Sequence, residues 1–537
     1  MKSRHAGRST GIRRVSDASQ HSQTRALIIR HARVLTLDDN DREWADADIV
    51  VRDGRIVAIG PGAADSPEGL AVARLAGSAA GVPVRLVDAR GLLAMPGLVN
   101  GHFHSPGNLM KGLLPGLPLE LFMLHEVPPL ADSGNAGRLS YLRTMAGALE
   151  MIRRGVTAVH DDAYHVPLVT PEGIDAIMMA YRDAGLRATV TIDQPNIVEY
   201  EKYPFLGDLL PPHERRAMEL APRQGADELL ELYRYLIDRW HGAAQGRLRA
   251  AVSCSAPQRV TLPYFEGLSD LSRTYDLPFD IHILETRLQR VLGQEKFGKS
   301  LVRYVHDIGL LDQRMLVMHA IWIDEHDIAL LADSGCTVAH NPVCNLRLGS
   351  GLMPWRALRD AGIPICLGSD EMNTDDSVNL WFVAKTAALI HTLSSPDFDQ
   401  WPQPMEILHA LTSGGARGMR QAGEFGTLVP GACADMILLD LDTVAYTPLN
   451  DLRRQLVHCE DGQSLRMTIV GGQVLFEDGK ITTVDEAAVR RELRELMDGY
   501  RAQLERCAAD ADRLEPYYRA MVDRCARIDV GMRRTLY

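Results

Sequence analysis

Hydrophobic and polar positions change their spacing twice along the chain. β-rich apolar runs fill roughly residues 26–95, short apolar strands alternate with helices up to about residue 424, and β-rich runs then return. In "DADIVVRDGRIVAIGPG", Asp53-Gly54 separates two apolar stretches, which predicts a β-hairpin, and Asp478-Gly479 predicts another. We therefore expect the N- and C-terminal β segments to pair as one small β-sandwich beside a larger central domain.

The central region repeats a unit made of a helix and a short strand. The helix-like "SYLRTMAGALEMIRRG" precedes the apolar "VTAVHDD", and strand-like runs recur in "LRATVTIDQ", "LRAAVSCSAP", "LPFDIHILET", "MLVMHAIWI", "CTVAHNP" and "IPICLGSD". Alternating strands and helices predict a parallel sheet, and eight such units close into a (β/α)8 TIM barrel. A doubly wound open sheet is the rival, but no GxGxxG motif follows the first strand. The predicted fold class is α/β, with a TIM barrel next to the β-sandwich.

These patterns divide the chain into five segments. The first 25 residues are polar and Arg-rich and lack an apolar stretch, so we expect an extension rather than a secretory signal. The predicted segments are a disordered extension (1–25), the first part of the sandwich (26–95), the barrel (96–424), the second part of the sandwich (425–484) and a charged helical extension (485–537).

Composition and charge exclude several classes of protein. The 537 residues carry a net charge of −12, and no basic stripe is present to neutralise phosphates, so a nucleic-acid partner is not expected. No window approaches the roughly 20 apolar residues that span a membrane. The eight cysteines are scattered without a CxxC pair, which is typical of reduced thiols in a cytoplasmic protein. We expect a cytoplasmic protein with neither a nucleic-acid nor a membrane partner.

Chemically active side chains follow successive strands at the end where a TIM barrel holds its active site. "MPGLVNGHFHS" ends in His102 and His104, which point the same way because residues i and i+2 of a strand share a face. Later strand ends add His282, Glu285, His319 and Asp370. Each alone has an ordinary alternative, such as a structural histidine, a helix start at Glu285 or a helix N-cap at Asp370. Taken together they indicate a site for Zn²⁺ or Fe²⁺ with room for a water molecule.

The segments "PGLVNGHFH", "HILET", "MHA", "HNPVCNLRLGSG" and "LGSDE" resemble the amidohydrolase superfamily, over roughly residues 26–485. The branch is similar to cytosine deaminase, guanine-type deaminases and the triazine hydrolases. The resemblance implies one divalent metal ion, Zn²⁺ first and Fe²⁺, Mn²⁺ or Co²⁺ as alternatives, with four ligands: His102, His104, His282 and Asp370. It also implies three catalytic roles: Asp370 accepts the proton of water, Glu285 shuttles protons, and His319 orients or polarises substrate and water.

The number of metal ions follows from one missing residue. Many superfamily members bind two metals through a carbamylated lysine on the fourth strand. Between Val156 and His282 the only lysine is Lys202, which lies in the loop-like segment "EYEKYPF". The resemblance therefore implies a mononuclear site.

Two regions depart from the deaminase pattern and are candidate substrate contacts. The metal-ligand position is followed by "EMNTDD", and Cys344-Asn345 stands where relatives have Ser-Asn. From these regions we expect Glu371, Asn373 and Asn345 to bind a substrate amine or amide, although a solvated acidic loop explains "EMNTDD" equally well. In the first strand–helix loop, Phe122, Met123 and His125 are expected over the pocket, and core packing is an equal alternative for the first two. His160, at the second strand end, is expected to support the ligands.

Hydrolytic deamination of an amino-heterocycle of purine, pyrimidine or triazine type is the first functional hypothesis. Hydrolysis of an amide, urea or carbamate, with release of an amine, is the second. A non-enzymatic scaffold is disfavoured, because every position that the resemblance assigns to metal binding is retained. A homo-oligomer is expected.

Overall fold

The computed structural model describes residues 26–77, 83–131 and 136–535, and the predicted extension 1–25 lies outside the described residues. The N-terminal segment is a set of five strands with one helix. Its elements are β1 (Ala26–Leu35), β2 (Glu43–Arg52), β3 (Arg55–Gly60), α1 (Pro67–Ala73), β4 (Val84–Asp88) and β5 (Leu92–Pro96).

The central strands form a parallel ring, which confirms the predicted barrel. They are β6 (Leu98–His104), β7 (Val156–Asp161), β8 (Arg187–Val190), β9 (Leu248–Ala250), β10 (Val252–Ser253), β11 (Phe279–Ile283), β12 (Met315–His319), β13 (Thr337–His340), β14 (Ile365–Leu367) and β15 (Asp370–Glu371). Parallel ladders join β6 through β9 and β10 through β14, and Ala251 interrupts the fourth strand between β9 and β10. At the closure of the ring a Cβ atom on Gly101 would lie 2.6 Å from Cys366 Sγ, so glycine permits β6 and β14 to approach.

Helices surround this ring and fill its loops. They are α2 (Leu119–Ala131), α3 (Ala136–Ile152), α4 (Pro171–Ala184), α5 (Leu206–Leu209), α6 (Pro212–Leu220), α7 (Ala226–Trp240), α8 (Ala243–Gly246), α9 (Leu262–Tyr275), α10 (Arg287–Phe297), α11 (Leu301–Asp307), α12 (Glu325–Ser334), α13 (Pro342–Arg347), α14 (Trp355–Asp360), α15 (Met372–Asp375), α16 (Leu380–Ile390), α17 (Pro404–Ala410) and α18 (Ser413–Gly418).

Helix α4 shows how local sequence sets the boundaries of these elements. The Thr170 hydroxyl accepts a hydrogen bond from the Gly173 amide, and Pro171 occupies the first turn, where no amide donor is needed. Gly185 ends the helix at φ 90°, a left-handed conformation that glycine adopts without steric cost. Helical boundaries are therefore encoded by single residues next to the barrel strands.

The C-terminal segment returns to β structure and ends in a long helix. Its elements are β16 (Met436–Asp440), α19 (Leu452–His458), β17 (Leu465–Val470), β18 (Gln473–Glu477), β19 (Lys480–Ile481) and α20 (Glu486–Ala526). The antiparallel pair of β5 and β16 joins both terminal segments in one sheet, in the order β19-β18-β17-β16-β5-β1-β2-β3 with β4 beside β1. No helix in the described part of the chain is both long and apolar enough to cross a membrane.

Both predicted hairpins are present. Asp53 and Gly54 connect β2 to β3 with φ values of 50° and 79°, and Asp478 and Gly479 connect β18 to β19 with φ values of 45° and 85°. Two successive positive φ angles are those of a type I′ turn, whose twist matches that of the flanking strands.

Candidate metal and catalytic site

His102 and His104 end strand β6 and point to the same side, as their spacing predicts. Their Nε2 atoms lie 3.5 and 3.6 Å from the same oxygen, Oδ1 of Asp370. Asp370 follows β14 and pairs in the short strand β15 with Phe103 between the two histidines. The first and last strands of the ring therefore bring two imidazoles and one carboxylate together, all of them buried.

The fifth strand adds His282. Its Nδ1 donates a hydrogen bond to the Ser255 carbonyl at 2.8 Å, while Nδ1 of His104 donates to the Asp162 carbonyl at 2.5 Å. Because each Nδ1 carries the proton in this hydrogen-bonding pattern, each Nε2 keeps a free lone pair. The imidazoles of His104 and His282 lie 5.3 Å apart between ring centres.

The residues present fit a divalent metal ion. His102 is fully buried, and among the described residues neither of its ring nitrogens has a partner in hydrogen-bonding geometry, although Nε2 lies 3.5 Å from Asp370 Oδ1. Such a state is costly for a polar group away from water. Burial lowers the pKa of His102 to about 3, so the imidazole is neutral, the form that binds metal. Ligand atoms of His102, His104 and His282 lie within 4.8 Å of one another, as do those of His102, His319 and Asp370. Imidazoles with a carboxylate suit Zn²⁺ and related ions.

Two of the converging residues have strained backbones. His319 has a φ of 68° and Asp370 a φ of 61°, in the left-handed region that residues with side chains rarely occupy. Each such residue costs about 1–3 kcal/mol, and strain of this kind concentrates at functional sites. The strain turns both side chains inward just beyond the ends of their strands.

Glu285 and His319 stand beside the candidate ligands. His319 Nε2 lies 3.7 Å from Oε2 of Glu285 and 3.5 Å from Oδ2 of Asp370. Burial raises the pKa of Glu285 to about 7, although His319 opposes the rise. A carboxyl group with a pKa near neutrality can both release and take up a proton at physiological pH.

A cavity of about 410 Å³ opens over this site. Its lining includes the converging residues His104, His282, Glu285, His319 and Asp370. Of the predicted substrate contacts, Phe122 and Glu371 line the cavity, as does Met123. Polar and apolar residues both line the cavity, but most of its surface is apolar, as is usual for a small-molecule site.

The other predicted substrate contacts lie behind the wall or away from it. Asn345 Oδ1 is 2.9 Å from Nδ1 of His319, so this amide positions the imidazole. Asn373 does not line the cavity, but it donates a hydrogen bond to the carboxylate of Glu126, which does. His125 turns outward, because its Nε2 lies 3.0 Å from Oε2 of Glu515 on α20.

His160 also lies near the site without entering it. Its Nε2 is 2.6 Å from Oδ2 of Asp280, and both side chains are fully buried inside the ring. Asp280 precedes His282 by two residues on β11, so this pair supports the strand that carries a candidate ligand.

Sequence reasoning missed several polar residues of the cavity, among them Glu126, Tyr164 and Arg259. Glu126 Oε1 accepts a hydrogen bond from the Tyr164 hydroxyl at 3.0 Å, and both line the cavity. Arg259 lines it too, donating to Ser255 Oγ at 3.2 Å and contacting Met123 Sδ at 3.3 Å. The position of Arg259, just after the fourth strand in "APQRV", is a signal that could have identified it.

Comparisons with known proteins agree with this geometry. The amidohydrolase family model matches residues 93–475. The chain is 30% identical over 475 residues to a 5-methylthioadenosine/S-adenosylhomocysteine deaminase from Nitratidesulfovibrio vulgaris, covering 88% of this chain and 96% of that protein. It is 28% identical over 466 residues to a 5'-deoxyadenosine deaminase from Methanosarcina mazei, covering 87% and 96%. The zinc-bound structure of atrazine chlorohydrolase from Arthrobacter aurescens TC1 matches with a TM-score of 0.76 at 25% identity, over 89% of this chain and 100% of that structure.

Proposed function

The chain belongs to the amidohydrolase family, and on that premise we propose that it hydrolytically deaminates an amino-heterocycle of the adenosine type. One observation carries the proposal: buried histidines and an aspartate converge beside a carboxyl group whose pKa lies near neutrality, on the floor of a substrate-sized cavity. The curated relatives named above are deaminases of adenosine derivatives.

Four residues would hold the metal: His102, His104, His282 and Asp370. A divalent ion bound there, in our proposal Zn²⁺, would supply Lewis acidity and would lower the pKa of water from about 15.7 toward 7. We propose a single ion per chain. In support, Nζ of Lys202 lies 2.5 Å from Oε2 of Glu199. Lys202 is therefore held in an ion pair and does not serve as a ligand that bridges two metal ions.

The proton transfers fall to the side chains around this position. Asp370 accepts the proton of the attacking water in this proposal; its Oδ2 lies 3.5 Å from His319 Nε2 in a buried site. Glu285 starts protonated and gives its proton to a ring nitrogen as water adds, since its pKa permits both forms at neutral pH. As the carbon–nitrogen bond breaks, Glu285 passes the hydroxyl proton of the addition product to the departing amine, and the proton held by Asp370 then restores Glu285 to its starting form. His319 stabilises charge on the oxygen that forms, and Asn345 keeps its ring in place.

The cavity wall supplies substrate contacts. Phe122 offers an apolar surface to the heterocycle, and Glu371 accepts its N–H groups. Arg259 donates to an acceptor atom of the substrate, because neither of its present partners, a hydroxyl and a thioether, is a carboxylate. A buried guanidinium with such weak partners gains strongly from a ligand acceptor.

Ammonia release from 5'-deoxyadenosine and from adenosine by the zinc-loaded protein tests the proposal, with metal content measured alongside. We expect deamination and about one ion per chain, and loss of both activities in Glu285→Gln. Release of an amine from N-aryl urea or carbamate compounds, with no ammonia from either nucleoside, would overturn the assignment in favour of urea or carbamate hydrolysis.

Several broader features are proposed with this function. Strands of both terminal segments share one apolar core, which supports a small sandwich formed by residues 26–95 and 425–484 beside a barrel of residues 96–424. The core includes Leu27, Ile49, Met436 and Ile469. Residues 485–537 form the helical extension in this scheme. Homo-oligomer formation and a cytoplasmic location stay predictions, to be checked by light scattering and fractionation.

A further inference from the structure

The C-terminal helix α20 lies outside the barrel and the sheet, yet it reaches the catalytic cavity. Leu514 and Tyr518 line the same cavity as Glu285 and Asp370. They are four residues apart, so they project from one face of the helix. We define residues 486–535, which include α20 and the segment after it, as the C-terminal strap.

The C-terminal strap is attached to the molecule along its whole length. Near its start, Arg138 of α3 forms a bidentate ion pair with Glu492, at 2.5 and 2.6 Å. Farther along, Arg513 pairs with Glu214 of α6. Beyond the helix, the Arg534 carbonyl accepts a hydrogen bond from the Leu352 amide at 2.8 Å. These attachments join elements that follow the first, third and seventh strands of the ring, so the strap crosses the face that holds the cavity.

The strap presents an apolar surface to the cavity. Tyr518 is 2% exposed and meets the ring of Tyr203 edge to face, with 5.6 Å between ring centres. Both belong to an apolar cluster with Leu124, against which Leu514 and Met218 pack, and all five side chains line the cavity.

Three charged groups that line the cavity near this wall bind other groups of the protein. Lys202 and Glu199 form an ion pair with each other. Arg223 donates to the backbone carbonyls of Met218 and Glu219. The strap itself offers little compensation for burying a polar substrate group, because Leu514 has no polar side-chain atom and Tyr518 has a single hydroxyl.

We infer that Leu514 and Tyr518 are specificity-determining residues that select heterocyclic substrates carrying an apolar substituent. The inference rests on the proposed function, because it assumes a nucleoside-like substrate whose amine faces Glu285. An apolar substituent gains by contacting Leu514 and the ring of Tyr518, whereas a hydroxyl at the same place finds at most the Tyr518 hydroxyl in exchange for its bonds to water. The strap thus acts on substrate choice without taking part in proton transfer.

A matched pair of substrates tests the inference: 5'-deoxyadenosine and adenosine differ by one hydroxyl. We expect the zinc-loaded wild type to prefer 5'-deoxyadenosine in kcat/KM by about tenfold, in the range for one group in an apolar pocket. Leu514→Asn, which keeps the size of the side chain, and Tyr518→Ala should each reduce this preference at least about fivefold, with metal content unchanged.

Met521→Ala is the matched control, because Met521 is buried in the same cluster but does not line the cavity. It should preserve the substrate preference even if it loosens the strap. An unchanged preference in Leu514→Asn and Tyr518→Ala, or an equal loss in Met521→Ala, would overturn the inference. If the wild type deaminates neither nucleoside, the proposed function fails. In that case the inference is tested by binding: the dissociation constants of 5'-deoxyadenosine and adenosine are measured for the wild type and for Leu514→Asn. If the ratio of the two constants is the same in both proteins, the inference is refuted.

Discussion

Replacing Glu285 with glutamine preserves the shape of a buried side chain and removes its ability to exchange a proton. Glu285 is 3% exposed, and its pKa of about 7 lets it occur in both protonation states at neutral pH. Positioned acid–base groups typically contribute about 10²–10⁴-fold to a rate, so we expect kcat to fall by about that factor. Metal content should not change, because Glu285 is not among the four proposed ligands.

The same substitution should stabilise the folded protein when metal has been removed. Folding raises the pKa of Glu285 from 4.5 to about 7, so the ionised form is destabilised in the folded state. At pH 7 this costs about 3 kcal/mol, which Glu285→Gln abolishes. The cost is absent below pH 4.5, grows as the pH rises toward 7, and is constant above that. With about 2.1 cal/mol/K of unfolding entropy per residue, the gain corresponds to about 3 °C in Tm.

Ammonia release and thermal unfolding in a chelating buffer at pH 5 and pH 7.5 measure both effects. Glu120→Gln is a suitable control, because Glu120 is also buried and burial raises the pKa of its carboxyl, yet it does not line the cavity. It should stabilise the protein without loss of turnover. Turnover within tenfold of wild type in Glu285→Gln would refute the proton-transfer role. A Tm gain equal at the two pH values would refute burial as the cause of the raised pKa.

The remaining predictions concern the ligands, the imidazole and the scaffold. His102→Ala should lose its bound metal on dialysis and should lose activity, because the substitution removes a ring nitrogen that is proposed to bind the metal. Metal analysis and ammonia release measure the two losses. Asn345→Ala removes the acceptor 2.9 Å from His319 Nδ1, so kcat should fall about tenfold with little change in KM, as steady-state kinetics will show. Tyr233→Phe should lower the free energy of unfolding by about 2 kcal/mol in urea titrations, because the buried hydroxyl bonds the backbone of Ile192 and Ser253.

Local sequence was sufficient to predict the order of strands and helices, the two hairpins, and which side chains face one another at the strand ends. The reason is that these features depend on short-range geometry. His102 and His104 share a face because a strand repeats every two residues, and Asp53-Gly54 turns because both residues accept positive φ. The barrel itself brings His282, His319 and Asp370 beside them, since parallel strands end on one face.

Tertiary structure alone decided which side chains form the cavity wall and which stand behind it. Asn345, Asn373 and His125 lie in the segments where sequence reasoning sought substrate contacts, but hydrogen bonds to His319, Glu126 and Glu515 draw them away from the cavity. Such choices depend on partners that are distant in the chain, for which local periodicity carries no signal.

The C-terminal strap shows the same limit most clearly. Its sequence predicts a charged helix and nothing more, whereas its packing places Leu514 and Tyr518 against residues more than 200 positions earlier in the chain. Sequence by itself determined which histidines and carboxylates converge, because they follow the ends of successive parallel strands. The folded structure decided the shape and polarity of the cavity, because these arise where loops and a terminal helix from separate parts of the chain pack together.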